Sequence, residues 1–209
     1  MTALNNLPAY YDDLELSFEE AWSVVKAGVT DRHSPAHMPA VGTVDDSGGP
    51  QMRIMVLRDI SRDNRTLRFH TDARSTKADQ LKQKNAASVL IYDHPAKIQI
   101  RLSGEARLEL EGDIADAAWN SSTPFARRCY MAEAAPGTSS IKPSSGLPDW
   151  IEGKQPEEDQ LAEYRSNFAA MIVDVTTIEW LYLANAGHRR ARWHFDMAKD
   201  SWTGGWLVP

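Results

Sequence analysis

Apolar and polar residues alternate in residues 67–72 and 98–103, and in residues 52–57 the apolar Met52, Ile54 and Val56 alternate with Arg53, Met55 and Leu57. Successive side chains of a β-strand point to opposite faces, so this alternation predicts three strands that each have two distinct faces. The third belongs to a longer predicted strand, 97–110, in which Gly104 indicates a bulge where the sheet bends. Other apolar runs predict strands at residues 38–44, 87–92, 168–175, 177–183, 190–195 and 202–207.

Turn-forming residues connect these strands into hairpins. Residues 45–50, with the sequence DDSGGP, join the first strand to the one that contains Arg53. Residues 62–65 join 56–59 to 66–71 in the same way. Six or so antiparallel strands with one inserted helix predict a closed or partly closed barrel. The predicted fold class is therefore mainly β with flanking helices.

Two helices flank the predicted strands in the first half of the chain. Apolar residues recur at helical spacing in residues 18–29, with Ser17 as the expected N-cap and Glu20 completing a capping box. Residues 1–16 are acidic and rich in Asn, Pro and Tyr, which predicts a loose lead-in. A shorter helix is predicted at residues 78–84.

The pattern changes after the long strand. Residues 112–134 predict two helices, the second capped by Thr123 and started by a proline. Residues 135–160 are rich in proline, glycine and serine and predict a long surface loop that either covers a site or has no role. With no repeat and no clear linker, the chain is predicted to be a single domain, 1–209, with a loop-rich insertion at about 112–165.

A basic, hydroxyl-rich segment lies at a predicted strand-to-helix junction. It consists of Arg74, Ser75, Thr76 and Lys77, and Arg53 is a second cation in an otherwise apolar strand. Helix N-termini present free N–H groups, and arginine and lysine add charge and donors suited to phosphate oxygens. The junction alone would also fit a solvated turn with Ser75 or Thr76 as N-cap. Together with Arg53, it favours a phosphate site.

Composition excludes several classes of protein. The formal net charge of −6 argues against a general nucleic-acid-binding protein. The single cysteine, Cys129, excludes an internal disulfide and favours a reducing cytoplasm. The first residues lack the pattern of a signal peptide, and no apolar run is long enough to cross a bilayer, so we expect no membrane association. The histidines are too scattered for a metal site, and none is predicted.

Four motifs occur in a fixed order between about residues 38 and 110: RIMVLR, FHTD, ARSTK followed by ADQL, and IQIRLSGEARL. In their order and spacing, the chain resembles the pyridoxamine 5′-phosphate oxidase-like family of FMN-binding split barrels. A weaker likeness appears in IEWLYLANAGHRRARWHF near the C-terminus. The resemblance implies an antiparallel, Greek-key split β-barrel that binds FMN at the interface of a homodimer.

The resemblance also implies which residues contact the flavin. The positions that match the phosphate-binding side chains are Arg53, Thr71, Ser75, Thr76 and Lys77, with Arg74 in the same turn and His70 beside Thr71. Backbone groups of Ile54, Met55, Val56 and Leu57 are expected along the ring edge, and Gln99 at the ring or the ribityl chain. Candidates from the second subunit are Trp180, which would alternatively be a core tryptophan, and Arg190, Arg192 or Arg189.

Substrate contacts are implied less completely. True oxidases of the family carry an R-x-H pattern in the C-terminal turn, and here Ala191 or Trp193 stands where the histidine is expected. The side chains that would hold a substrate phosphate are out of register around residues 124–137. The candidate substrate contacts are Arg58, Arg128, His188 and Arg189.

The sequence therefore predicts a cytoplasmic, homodimeric, FMN-dependent oxidoreductase that acts on an unknown small molecule. Because the flavin itself accepts the electrons, the absence of a catalytic triad does not count against an enzyme. The alternatives are the pyridoxamine/pyridoxine 5′-phosphate oxidase proper, a flavin-binding module without turnover, and a relative that uses haem or cofactor F420 on the same scaffold.

Overall fold

A computed structural model describes residues 7–209. The first-half elements are α1 (Leu14–Thr30), β1 (Ala40–Val44), β2 (Pro50–Ile54), β3 (Leu57–Ser61), β4 (Thr66–Asp72), α2 (Thr76–Gln83) and β5 (Ala86–Asp93). The second-half elements are β6 (Ile98–Glu109), α3 (Asp113–Asn120), α4 (Pro124–Arg127), α5 (Glu158–Ala162), β7 (Phe168–Tyr182), β8 (Arg189–Asp196) and β9 (Ser201–Leu207).

The strands form one antiparallel sheet in the order β2-β1-β5-β6-β7-β4-β3. Strand β7 is the branch point of this sheet. Its first half, from Phe168 to Asp174, pairs with β4, and its second half, from Thr177 to Tyr182, pairs with β8, which in turn pairs with β9. The sheet therefore divides along β7.

The predicted bulge at Gly104 is confirmed. The β6–β7 register shifts between Ser103 and Gly104, whose partners are Thr177 and Val175, so Thr176 is the extra residue. A Cβ atom on Gly104 would lie only 1.9 Å from the carbonyl oxygen of Asp174. Only glycine allows the two backbones to approach this closely.

The main core lies on the inner face of the sheet and under α1. Phe69, Leu102 and Trp180 are fully buried there. Helix α1 closes the core with Trp22 and Val25, which are three residues apart and share one face of the helix. Apolar side chains at alternate strand positions thus produce one continuous core, as the alternation predicted.

A second, smaller core belongs to the predicted insertion. Trp119, Tyr130, Met131, Ile151 and Leu161 pack against Phe168 and neighbouring residues of β7. Residues 132–157 contain no helix or strand but are anchored by the buried Ile151. The insertion therefore packs against the outer side of the first half of β7.

Several predicted boundaries are wrong. Helix α1 begins four residues before residue 18, because the Asp13 carboxylate, rather than Ser17, caps it by accepting a hydrogen bond from the backbone N–H of Leu16 (2.9 Å). The lead-in predicted for residues 1–16 is therefore partly helical, and residues 1–6 lie outside the described part of the chain.

Two predicted strand assignments also need correction. The stretch 52–57 is divided between β2 and β3. The backbone N–H of Met55 donates to the Pro39 carbonyl oxygen (3.1 Å), and from Leu57 onward the chain pairs with β4 instead of β1. Conversely, 168–175 and 177–183 form one strand, β7, which is longer than β6.

Candidate functional site

The break between β2 and β3 opens a cavity of about 390 Å³ beside the start of α2. We refer to it as the basic cavity. Its walls come from β2, the β2–β3 break, the end of β4, the first turn of α2 and the insertion. The lining residues are Arg53, Ile54, Met55, Val56, Arg58, His70, Thr71, Asp72, Lys77, Ala126, Cys129, Tyr130 and Pro136.

Lys77 is held in the wall of the basic cavity by two hydroxyl groups. Its Nζ lies 2.6 Å from Thr71 Oγ1 and 3.1 Å from Ser75 Oγ. Ser75 is the N-cap residue of α2, but its hydroxyl donates to the Asp72 carbonyl oxygen (2.7 Å) instead of capping the helix. The first turn of α2 therefore keeps free backbone N–H groups near the ammonium.

Arg53 approaches the same cavity from β2. Its Nη1 donates to Thr43 Oγ1 (2.7 Å) and to the carbonyl oxygens of Gln51 (3.0 Å) and Val41 (3.3 Å). All three acceptors are neutral. The cross-strand bonds fix the guanidinium without neutralising it.

Neither Arg53 nor Lys77 forms an ion pair with a carboxylate of residues 7–209. Burial, together with the charge of Arg53, lowers the pKa of Lys77, and the Asp72 charge only partly opposes this. Burial also lowers the pKa of Arg53. Two partly desolvated cations share this cavity. An anion bound between them would offset the free-energy cost of their burial and mutual repulsion.

Arg74 has a different role from the predicted phosphate contact. Its Nε and Nη2 bind both carboxylate oxygens of Asp72 (3.0 and 2.8 Å), which raises the pKa of Arg74. Its Nη1 donates to the Ala132 carbonyl oxygen (3.0 Å). The guanidinium therefore neutralises Asp72 and ties the insertion to the basic turn, and its contact with a phosphate stays a prediction.

The β2–β3 break presents both backbone and side chains. Ile54 is 57% exposed, Val56 is half-buried, and Met55 and Leu57 are buried. Only Ile54, Met55 and Val56 line the cavity, whereas the Leu57 side chain belongs to the core. The segment can thus contact a ligand mainly with Ile54, Val56 and backbone groups.

His70 lies deeper in the same wall. Its Nδ1 is 3.3 Å from Ser122 Oγ, and its Nε2 is buried without a partner in the described chain. Burial and the charges of Arg58 and Arg68 lower the pKa of His70 to about 4. The imidazole is therefore neutral at neutral pH.

Three further predicted cofactor positions lie outside the cavity lining. Thr76 is exposed in the first turn of α2, while Ser75 is buried behind Lys77. Gln99 is half-buried on β6 and shares the outer face of the sheet with Arg101 and Glu179. Gln99 does not line the basic cavity of its own chain.

Trp180 is not available as a flavin contact. Its side chain is fully buried, stacks on Tyr182 with ring centroids 6.1 Å apart, and meets Tyr10 edge-on. The indole therefore lies in the core, as the alternative interpretation held, because β7 points residue 180 inward and residues 179 and 181 outward.

Arg190 and Arg192 are bound within their own chain. Each donates two hydrogen bonds to Glu179, with Nη2 to carboxylate distances of 2.7 and 2.9 Å, and Arg101 pairs with the same carboxylate at 2.8 Å. Burial alone would raise the pKa of Glu179, but these arginines lower it. We call these four residues the Glu179 cluster.

The candidate substrate residues are dispersed in a single chain. Arg58 lines the basic cavity, but Arg128 donates to the Lys154 carbonyl oxygen (2.6 Å) and stacks over Phe125. His188 and Arg189 lie in another surface pocket, where Arg189 binds Asp12 (2.6 Å). His188 and Arg189 do not line the basic cavity of their own chain.

The sequence reasoning missed residues that shape the cavity. Thr43 is buried and links Arg53 to Gln80, since its hydroxyl donates to Gln80 Oε1 (2.6 Å). Tyr130 and Pro136 come from the insertion. The alternation of β1 could have placed Thr43 on a definite face, but no local pattern indicates that the insertion reaches α2.

No group of histidine, cysteine or acidic side chains that could hold a metal occurs in residues 7–209. No α-helix of the described residues is long and apolar enough to cross a membrane.

Comparisons with known proteins agree with this geometry. Residues 19–109 match the family model "Pyridoxamine 5′-phosphate oxidase, FMN-binding domain". A pyridoxine/pyridoxamine 5′-phosphate oxidase from Ruegeria sp. is 29% identical over 182 residues, which cover 78% of this chain and 80% of that protein. The oxidase of the same name from Vibrio parahaemolyticus is 35% identical over 95 residues, 46% of this chain and 41% of that protein.

Solved structures show the same fold. A pyridoxamine 5′-phosphate oxidase-related, FMN-binding protein from Nostoc punctiforme has a TM-score of 0.68 at 25% identity, covering 98% of this chain and 100% of its own. PhzG from Burkholderia lata, in complex with tetrahydrophenazine-1-carboxylic acid, has a TM-score of 0.68 at 20% identity, covering 99% and 100%. The predicted class, a mainly β split barrel with flanking helices, is confirmed.

Proposed function

We propose that the chain, whose residues 19–109 match the model of the pyridoxamine 5′-phosphate oxidase FMN-binding domain, is a flavin-dependent oxidoreductase. It would act on a small molecule of unknown identity. Its active unit would be a homodimer with FMN at the subunit interface.

The observation that carries the proposal is the uncompensated charge of the basic cavity. Arg53 and Lys77 face it without a carboxylate partner among residues 7–209, and the hydroxyls of Thr71 and Ser75 lie within 3.1 Å of Lys77 Nζ. A phosphate dianion needs more than one cation and several donors when it is partly desolvated. The donor set fits the FMN phosphate, and Arg53, Thr71, Ser75 and Lys77 would hold it.

The remainder of the cofactor would lie along the β2–β3 break. Ile54 and Val56 offer apolar surface there, and the neutral imidazole of His70 and the guanidinium of Arg58 also line the cavity. When bound, FMN supplies the redox chemistry, and the protein binds and orients both cofactor and substrate. The residues of this chain therefore act by positioning and by charge.

A second copy of the chain would complete the site. Met52 and Ile54 on β2 are 64% and 57% exposed, and Tyr92 on β5 is 45% exposed. The three side chains are large and apolar and lie on the outer face of β2 and β5, the two strands that flank β1, which is the kind of surface that subunit interfaces cover. A dimer formed there is the proposed source of His188 and Arg189.

The first test is the visible absorption spectrum of the purified protein, followed by mass spectrometry of the molecule that heat releases. We expect a yellow protein that carries FMN near one per subunit, and a dimer by light scattering. A colourless protein that does not take up added FMN would overturn the proposal.

The relatives' name supports a second candidate, the pyridoxine/pyridoxamine 5′-phosphate oxidase itself. This candidate requires hydrogen peroxide release when pyridoxamine 5′-phosphate is supplied to the FMN-loaded protein. Ala191, fully buried on β8, stands near the position where the resemblance calls for a histidine. We therefore place the oxidoreductase of unknown substrate first. A flavin that neither this compound nor a pyridine nucleotide reduces would instead indicate a binding module.

A further inference from the structure

A cavity of about 560 Å³ lies on the outer face of the sheet, between the β3–β4 hairpin and the first turns of α3. We call it the hairpin cleft. Within residues 7–209, it shares no lining residue with the basic cavity. The lining residues of the hairpin cleft are Asp59, Ile60, Ser61, Asn64, Thr66, Arg68, Arg107, Asp113, Ile114, Ala117, Ile172 and Asp174.

Strand register forms the floor of the hairpin cleft. Ile172 on β7 pairs with Arg68 of β4 on one side and with Arg107 of β6 on the other. Side chains at paired positions of neighbouring strands lie on the same face of a sheet. Neighbouring strands are about 4.8 Å apart, so the two arginine backbones are about 10 Å apart with Ile172 between them. The floor is therefore an apolar side chain flanked by two guanidinium groups.

Helix α3 forms the opposite wall with a second apolar face. Its buried side, with Ala118 and Trp119, packs into the smaller core. Ile114 and Ala117 are one helical turn apart and line the cleft instead, and Ile114 is 45% exposed. Residues 7–209 thus leave the outward apolar side chains of the helix largely uncovered. The cleft has apolar surface on two sides, which suits the hydrocarbon part of a small ligand.

Arg68 has an unused donor at the β4 side of the cleft. Its Nη2 lies 3.3 Å from a carboxylate oxygen of Asp59, whose side chain is 54% exposed. Its Nε is buried and has no hydrogen-bond partner in the described residues. Buried donors in native proteins normally have partners, so this N–H group calls for an acceptor. The planar fork of an arginine suits a carboxylate in particular.

Asp113 is the unpaired carboxylate of the cleft. Asp174 is bound by Arg107, which also donates to Glu109 (2.8 Å). Asp113, in contrast, forms no ion pair with any of residues 7–209. It begins α3 four residues after β6, the strand of Arg107, has ended, so it reaches the cleft from the side opposite Arg68. A free carboxylate beside an apolar surface attracts a cationic group.

We propose that the hairpin cleft binds a small aliphatic zwitterion whose carboxylate and ammonium groups are separated by a hydrocarbon chain, that is, an ω-amino acid. Arg68 receives the carboxylate and Asp113 receives the ammonium. The hydrocarbon chain lies over Ile172 and against Ile114. This site is independent of the proposed flavin chemistry, because the cleft and the basic cavity have separate walls in the described chain.

The test measures binding of 6-aminohexanoate to the whole chain by isothermal titration calorimetry. Added FMN keeps the basic cavity occupied if the protein takes it up. Hexanoate, hexylamine and leucine are the matched probes, because they lack the ammonium, lack the carboxylate, or carry both charges on one carbon. We expect 6-aminohexanoate to bind at least about tenfold more tightly than each of them, the size of one charged hydrogen bond.

Two variants assign the two ends of the ligand. Asp113→Asn should remove the preference for 6-aminohexanoate over hexanoate, and Arg68→Gln should remove the preference over hexylamine. Asp116→Asn is the matched control on the same helix, because Asp116 is exposed, pairs with Arg165 (2.7 Å) and does not line the cleft. Arg62→Gln is the control on the hairpin, since Arg62 is exposed and also lies outside the lining. Both controls should keep both preferences.

Several results would overturn the site. One is that 6-aminohexanoate does not bind, and another is that hexanoate, hexylamine or leucine binds as tightly. If Arg68→Gln does not fold, Asp113→Asn decides alone, because Asp113 is exposed and forms no ion pair in residues 7–209. An unchanged preference over hexanoate in Asp113→Asn would place the ligand elsewhere on the protein and overturn the proposal.

Discussion

The Glu179 cluster and the basic cavity use the same kinds of side chain in opposite ways. In the cluster, Arg101, Arg190 and Arg192 surround one carboxylate that is only 5% exposed, at 2.7–2.9 Å. In the basic cavity, Arg53 and Lys77 face open space, and their bonds go to hydroxyl and carbonyl oxygens. The cluster pairs its arginines with a carboxylate of the same chain, whereas the basic cavity leaves Arg53 and Lys77 without such a partner in the described residues.

The difference shows that the position of a carboxylate determines whether a nearby cation stabilises the fold or remains available to a ligand. Asp72 could have neutralised Lys77, but both of its oxygens are bound by Arg74. Arg74 thereby keeps the cations of the basic cavity free for an external anion. Basic residues alone do not identify a site, because the position of the nearest carboxylate determines which cations remain available.

The largest effect is expected from removing the carboxylate of the cluster. Glu179→Gln would leave three arginines with no counter-charge on one face of β7 and β8. Breaking a buried ion pair costs about 3–5 kcal/mol, and partial exposure of the arginines reduces this to about 2–3 kcal/mol here. Urea unfolding of the FMN-free protein measures the loss of unfolding free energy.

Glu19→Gln is the control for this change. Glu19 pairs with Arg62 at the surface, where both side chains are nearly half exposed. Its removal should cost less than about 1 kcal/mol. Equal losses for the two variants would mean that the Glu179 cluster is no more than a surface ion pair.

The next effect concerns flavin affinity. Lys77→Met keeps most of the side-chain volume but removes the ammonium from the basic cavity, and should weaken FMN binding by about 1–3 kcal/mol. Lys82→Met on the same helix is the control, because Lys82 is exposed and pairs with Asp79. Fluorescence titration of the FMN-free proteins measures both. Unchanged FMN affinity in Lys77→Met would contradict the phosphate assignment.

A smaller effect tests whether Arg74 acts through Asp72. Arg74→Ala leaves the Asp72 carboxylate without its bidentate partner and close to Lys77. We expect FMN affinity to fall by about 1 kcal/mol, because Asp72 then competes with the phosphate for Lys77. The double variant Asp72→Asn with Arg74→Ala should recover most of the loss. No recovery would indicate that Arg74 contacts the cofactor directly.

The smallest expected effect is a loss of stability between pH 6.5 and pH 5 that depends on His70 in the basic cavity and not on Glu179 in the cluster. Burial and neighbouring arginines lower the pKa of His70 to about 4 in the folded protein, against an ordinary value of 6.5. The unfolded chain therefore binds a proton first, and stability is lost as the pH falls from about 6.5 toward 4. Allowing for partial exposure, His70 contributes about 1 kcal/mol of this loss.

The measurement is unfolding free energy at pH 6.5 and pH 5 for the unmodified protein and for His70→Gln, which should lose less stability between the two. The lowered pKa of Glu179 acts in the same direction but below its ordinary value of 4.5, so Glu179→Gln should leave the pH 6.5–5 difference unchanged. An unaltered pH dependence in His70→Gln would contradict the depressed pKa.

Local pattern predicted much of the fold correctly. The alternation in β4 and β6, the apolar run of β5, the turn at residues 45–50 and the bulge at Gly104 all follow from side-chain pattern and turn chemistry. The boundary of α1 was missed because Asp13 competes with Ser17 as a cap. The division of 52–57 was missed because alternation does not reveal a change of pairing partner.

The candidate site was predicted only in part. Arg53, Thr71, Ser75 and Lys77 come together as the motifs predicted, and that they bind the FMN phosphate stays a prediction. Arg74 has the right charge, but its guanidinium is paired with Asp72. The sequence does not show which of the neighbouring cations, Arg74 or Lys77, pairs with Asp72. Trp180 was misplaced because a shift of one residue along a strand reverses the face.

The sequence by itself determined the strand and helix types and the cationic junction before α2, because these depend on side chains close along the chain. Only the tertiary structure decided which cations stay unpaired. It placed Glu179 among three arginines and paired Asp72 with Arg74. It also brought Arg32, Arg58 and Arg68 to the wall of one cavity. Ion pairing depends on distances of a few ångströms between remote segments, and those distances are set by packing and strand register.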